Sequence, residues 1–149
     1  MANLIKQQRD ILIKLNIHLL NPMQEEAVSV INTTTNTILL SPTGSGKTLA
    51  FLLPLIKTLD PSCNEIQALI LVPSRELAIQ IEQVVRSMGS GFKVNAVYGG
   101  RPMSKDKIEI KHVPSILIGT PGRISDHFGN NRFSKKYIKT LILDEFDKS

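Results

Sequence analysis

Residues 41–48 read Ser-Pro-Thr-Gly-Ser-Gly-Lys-Thr, a glycine-bearing loop between the apolar run Thr37–Leu40 and a stretch of helical spacing that opens at Lys47. Nothing else in the chain constrains its fold as strongly. A tight loop that ends a buried strand and starts a helix turns backbone N–H groups inward, where phosphate oxygens are suitable acceptors. The pattern G-x-x-x-x-G-K-[ST] is met except at its first position, where Ser41 replaces glycine. Gly44 and Gly46 allow the turn, Lys47 has the reach and charge for the β- and γ-phosphates, and Thr48 has the hydroxyl for Mg²⁺. Ser41, Pro42, Thr43, Gly44, Ser45, Gly46, Lys47 and Thr48 are therefore the expected nucleoside triphosphate cradle, with Lys47 also catalytic. A glycine-rich turn that binds nothing is the competing reading, and the flanking strand and helix weigh against it.

The rest of the chain repeats that alternation. Short apolar runs at Thr37–Leu40, Ala68–Val72, Val94–Val97, Ile116–Ile118 and Tyr137–Leu143 have the continuous character of strands buried on both faces of a parallel sheet. Helical spacing occupies about Lys47–Lys57, Ser74–Met88, Pro102–Lys111 and Pro121–Phe128. Ser74 caps the second of these and Gly89 ends it, while Pro54 is expected to kink the first or end it a turn early. Upstream, Leu4, Ile5, Gln8, Ile11, Leu12 and Leu15 mark one face of an amphipathic helix, and Asn21-Pro22 opens another that runs to about Ile31. Alternating strands and helices predict a three-layer α/β/α sandwich, doubly wound about a mainly parallel sheet, with ligands at the carboxyl ends of the strands. At 149 residues and 42% hydrophobic content, one domain is the default.

Charge and cysteine content narrow the setting. A net charge of +5 and a pI near 9.5 favour an anionic partner without specifying one. The basic stretch Asn130–Thr140, with Arg132, Lys135, Lys136 and Lys139, reads as a solvated loop. Cys63 is the only cysteine, which rules out an intrachain disulfide or a cysteine-built metal site and fits a reducing, cytoplasmic location. Lys6, Arg9, Asp10 and Lys14 interrupt the apolar residues near the start, so that segment is neither a signal-peptide core nor a membrane span.

A phosphate loop needs a carboxylate at the end of a neighbouring strand, and Leu141-Ile142-Leu143-Asp144-Glu145 supplies one. Asp144 is expected to support Mg²⁺, largely through its water shell, and Glu145 to orient or deprotonate the water that attacks the γ-phosphate. Asp144-Glu145-Phe146-Asp147 differs from D-E-A-D at one position, and here the chain resembles the first RecA-like domain of DEAD-box ATP-dependent RNA helicases. Leu15 to Gln24 is similar to that family's Q motif, which assigns Gln24 to the adenine edge; taken alone it would be an exposed helix residue. Pro73-Ser74-Arg75-Glu76-Leu77-Ala78-Ile79-Gln80 resembles P-T-R-E-L-A-x-Q, Gly99-Gly100 matches the glycine doublet, and Thr120-Pro121-Gly122-Arg123 matches T-P-G-R unchanged. The resemblance implies that Pro73, Ser74, Arg75, Gly99, Gly100, Thr120, Pro121, Gly122 and Arg123 line a single-stranded RNA path, gripping its sugar–phosphate backbone. It also gives Asp147 a part in coupling between domains. Singly, each segment has a bland reading as a surface pair, a turn or a helix start; their shared order from Leu15 to Asp147 is what carries the resemblance.

The departures are specific. Phe146 stands where the family has alanine, Asn16 and Leu20 replace a glycine and a proline, and the stretch around Gln7 lacks the aromatic that stacks on adenine. The family pattern continues past Ser149 with an S-A-T motif and a second RecA-like domain, so the chain is expected to be a fragment that binds ATP weakly and unwinds nothing alone. Arginine fingers from that second domain are worth about 10³–10⁵ in rate in related chemistry. Two other classes stay open: a P-loop enzyme such as a nucleotide kinase with a small-molecule acceptor, and a non-catalytic RNA-binding module.

Overall fold

The computed structural model describes residues 8–31, 36–40 and 46–145, apart from the side chains of 109 and 110. Its centre is a parallel sheet of β1 (Ala68–Leu71), β2 (Val94–Val97), β3 (Ile116–Gly119) and β4 (Thr140–Leu143) in the order β2-β3-β1-β4. The register sets Ala68 beside both Ile116 and Thr140, and Val94 beside Ile116, so the four strands start and stop level with one another. Every residue of β2 and β3 is buried, which is why these strands read as unbroken apolar runs.

Contacts along the chain divide it into two compact units, residues 1–59 with 87–91 and residues 60–86 with 92–149. The first holds α1 (Gln8–Lys14), α2 (Pro22–Ile31) and α3 (Lys47–Thr58). Ile11 is the buried residue of α1, as the amphipathic spacing requires; Leu4 and Ile5 lie outside the described residues. Asn21 caps α2 through its side-chain oxygen, which accepts from the Gln24 amide N–H at 2.8 Å. Pro54 does not end α3 early. The helix runs on to Thr58, one residue past the expected end, with Pro54 itself buried among Leu52, Leu53, Leu55 and Ile56, so apolar burial outweighs the lost hydrogen bond.

In the second unit, Ile66, Leu69, Val97, Leu117 and Ile124 form the core, with Phe128, Phe133 and Ile138 packed at its margin. Around it lie α5 (Met103–Lys111) and α6 (Pro121–Gly129), and α4 (Arg75–Met88) starts here, capped by the Ser74 hydroxyl, which accepts from Leu77 N–H at 3.2 Å. Gly89 follows α4 at φ 59°, the left-handed position expected of a helix stop.

Two expected strands are corrected. Thr37–Leu40 forms no strand: Ile38 is 76% and Leu40 86% exposed, and the run is not one of the four in the sheet. An apolar run states a demand for burial, whereas a strand exists only where a neighbouring backbone completes its ladder. The last strand begins at Thr140, not Tyr137. Ile138 N–H donates to Lys135 O in a turn, and Lys139 and Thr140 then both donate to Gln67 O, where the ladder with β1 starts. No helix among the described residues is long and apolar enough to cross a membrane.

Candidate functional site

Gly46 precedes α3 in sequence, and Gln24 of α2 meets it in space. Gly46 precedes α3 at φ 84°, ψ 22°, a left-handed conformation that glycine adopts without strain. Gln24 is buried at 7% exposure, which disfavours the alternative of a merely exposed helix residue. Its Oε1 accepts from Asn21 N–H at 3.0 Å and its Nε2 donates to Gly46 O at 3.1 Å. With Asn21 Oδ1 returning the bond to Gln24 N–H, this is a capping box whose far end holds Gly46 at the entrance to α3. A primary amide has two acceptor lone pairs and two donor hydrogens, so these two bonds among the described residues use one of each, and the amide has the capacity for a further planar partner. Lys47 and Thr48 are half-buried in the first turn of α3, where the helix dipole favours an anion. Ser41, Pro42, Thr43, Gly44 and Ser45 lie outside the described residues.

In the second unit, the level strands bring the remaining motifs to one edge. The ladder continues one residue past three of the strands: Thr120 N–H donates to Val97 O at 3.3 Å, Val72 N–H to Gly119 O at 3.0 Å, and Asp144 N–H to Leu71 O at 3.0 Å. The sheet order therefore sets four segments side by side beyond its carboxyl ends. They are Gly99-Gly100 after β2, Thr120–Arg123 after β3, Pro73–Arg75 after β1 and Asp144-Glu145 after β4. Gly100 sits at φ 86°, and a Cβ there would stand 3.3 Å from Arg75 Nη1, so the doublet and Arg75 adjoin. Arg75 is 59% exposed, and Thr120 leads into α6 with no side-chain cap. A free helix start, an exposed guanidinium and bare glycine backbone in one row form a surface suited to a phosphodiester chain.

Arg123 behaves differently from the other residues assigned to the RNA path. Its side chain is only 15% exposed, and its Nε lies 3.1 Å from Tyr98 O and 3.2 Å from Asp106 Oδ2. Another of its nitrogens donates to Arg101 O. Asp106 is fully buried and also receives Arg101 Nη1 at 3.1 Å and His127 Nε2 at 2.9 Å. Arg101, Asp106 and His127 escaped the sequence reading. Asp106 sits between Lys105 and Lys107 and looks like one charge of a solvated face, and only its position after the glycine doublet set it apart.

Asp144 is 5% exposed, whereas Glu145 is half-buried and holds φ at 54°. A left-handed carboxylic residue is uncommon and costs about 1–3 kcal/mol, a strain typical of functional sites. Phe146 and Asp147 lie outside the described residues. The donors at hand, the Thr48 hydroxyl and the Asp144 carboxylate, are hard oxygens. Each, taken within its own unit, is the kind of oxygen ligand that Mg²⁺ accepts.

The family model described as DEAD/DEAH box helicase matches residues 21–149. The ATP-dependent RNA helicase CshA of Limosilactobacillus reuteri is 40% identical over 129 residues, covering 85% of this chain and 26% of that protein. The ATP-dependent RNA helicase DHH1 of Saccharomyces cerevisiae is 38% identical over 130 residues, covering 86% of this chain and 26% of the relative. The chain thus spans about a quarter of the length of these curated relatives. Among solved structures, the yeast DEAD-box splicing factor Prp28 superposes with a TM-score of 0.81 at 30% identity, over 98% of this chain and 37% of that one. A hypothetical ATP-dependent RNA helicase from Sulfolobus tokodaii gives 0.82 at 24% identity, over 95% and 42%, a likeness of fold. Motif order, the level parallel strands and these matches agree that the chain has the RecA-like α/β fold and belongs to the DEAD/DEAH box helicase family.

Proposed function

We propose that this chain is the first RecA-like domain of an ATP-dependent RNA helicase, which binds ATP and single-stranded RNA and couples ATP hydrolysis to local duplex remodelling. The observation that carries the reading is the row of four segments along one edge of the sheet, in which Asp144-Glu145 continues the line of Gly99-Gly100, Thr120–Arg123 and Pro73–Arg75. Gln24 reads the adenine edge with its second donor and acceptor, and residues 41–48 cradle the phosphates. Lys47 offsets charge on the β- and γ-phosphates, and Thr48 and Asp144 would hold Mg²⁺, which would supply charge neutralisation at the phosphoryl group. Glu145 orients the attacking water and accepts its proton. Pro73, Ser74, Arg75, Gly99, Gly100, Thr120, Pro121 and Gly122 contact the RNA backbone, giving weak sequence preference and strong salt dependence. A second RecA-like domain, coupled through Asp147, completes catalysis in a cytoplasmic protein.

ATPase activity of the full-length protein with RNA, DNA or neither tests the reading. Stimulation by RNA supports it. Equal rates under all three conditions would point to a P-loop enzyme with a small-molecule acceptor, and RNA binding without turnover to a scaffold. Glu145→Gln should keep ATP affinity and lower kcat by about 10²–10⁴; an unchanged kcat removes Glu145 from the water-handling role.

A further inference from the structure

We propose that Asp106 is a positioning residue which, through Arg123 and Arg101, fixes the Gly99-Gly100 turn against the amino end of α6, making Arg123 an internal strut and not a phosphate contact. This rests on the RNA-binding reading of that edge.

The atoms assign the roles. Arg123 leaves the first turn of α6 and donates to Tyr98 O and Arg101 O, the carbonyls on either side of the glycine doublet. Arg101 Nη1 donates to Ala96 O at 2.7 Å and to Asp106 Oδ1 at 3.1 Å, fixing the segment where it leaves β2. Asp106 holds both guanidinium groups at once. On its remaining side stands the fully buried His127. Arg132 Nη1 lies 3.2 Å from His127 Nδ1, and a guanidinium only donates, so Nδ1 accepts and Nε2 carries the proton given to Asp106 Oδ2.

A carboxylate without solvent contact is tolerated only when its partners complete it, and an apolar cluster of the same volume often gives at least equal stability. Here the cluster also does what an apolar stripe does elsewhere: Ile108 of α5 is 62% exposed while Asp106 is buried. A glycine doublet has no side chain to hold its own conformation, so a backbone grip made from it depends on outside restraints. The Asp106 cluster supplies them on both sides.

Three measurements on the full-length protein test the role: RNA affinity by fluorescence anisotropy across a salt series, nucleotide affinity without RNA, and amide exchange at Gly99 and Gly100. Asp106→Asn should weaken RNA binding by about 10- to 100-fold and speed exchange at the doublet, with nucleotide affinity kept within about twofold. Arg123→Lys, which keeps the charge but cannot span Tyr98 O, Arg101 O and Asp106 together, should lose as much as Arg123→Met, with the salt slope unchanged in both. If Arg123 touched phosphate, lysine would preserve most of the affinity and methionine would flatten the slope by about 0.7; that pattern overturns the proposal. Should Asp106→Asn fail to fold, the Arg123 pair decides alone. Wild-type binding with all variants binding equally removes Asp106 from its role and leaves the RNA reading intact, whereas no RNA binding by the wild type overturns both.

Discussion

Replacing Gly46 by alanine should cost more than glycine's conformational freedom accounts for, and the excess should vanish when Gln24 is removed. At φ 84° an alanine pays about 1–2 kcal/mol for left-handed backbone. Its Cβ would also collide with Gln24 Nε2 and stand 3.3 Å from Gln24 Cδ and 3.4 Å from Asn21 Nδ2. Moving that amide breaks the bond to Gly46 O and the capping-box bond to Asn21 N–H, each worth about 0.5–1.5 kcal/mol. Gly46→Ala should therefore destabilise the chain by about 2–5 kcal/mol, a fall in Tm of roughly 4–20 °C. In a Gln24→Ala background the collision and both bonds are already gone, and the same substitution should cost only about 1–2 kcal/mol. Urea unfolding of the wild type, both single variants and the double variant gives the coupling directly. Equal costs of Gly46→Ala in the two backgrounds would refute the link between the capping box and the entrance to α3.

Two further perturbations read local physics. The Ser62 hydroxyl, 2.7 Å from Asp60 Oδ1, and then the Ser62 amide hold the Asp60 carboxyl below its ordinary range. Its folded-state midpoint lies below the unfolded one, so the stability it contributes is present above the unfolded value of about 3.9 and is lost as pH falls through the folded midpoint. In Ser62→Ala the midpoint should move upward in a carboxyl-carbon NMR titration, and an unmoved midpoint would discount the hydroxyl. At Glu145, Gly substitution should leave stability within about 1 kcal/mol of wild type or raise it, whereas Val should cost about 1–3 kcal/mol in urea unfolding. A glycine variant as destabilised as the valine one would mean that the φ of 54° stores no strain.

Local chemistry made much of this chain legible as sequence. The motifs from Leu15 to Asp147, in their shared order, marked the family that the matches show. The strand Val94–Val97 was read to the residue, and Asn21, Ser74 and Gly89 were recognised as cap and stop residues because their roles depend on neighbours within a turn of chain. The same reading erred where the deciding partner was distant. Thr37–Leu40 had a strand's composition without a ladder, and the exposed alternative for Gln24 fell only when Gly46 O, 22 residues away in sequence, met its amide. Asp106 was silent for the same reason, since Arg123 and His127 reach it from another helix.

The sequence by itself determined which groups this chain carries: a glycine-lysine-threonine loop at residues 41–48, a pair of carboxylates, and arginines and glycines fit for a phosphodiester backbone. Only the tertiary structure decided which of them share a surface. The strand order β2-β3-β1-β4 is not the chain order, and it is the ladder that aligns four separate segments at one edge and turns Arg123 inward. Residue chemistry is local and can be read one position at a time, whereas adjacency is set by hydrogen bonds and burial between residues far apart in the chain.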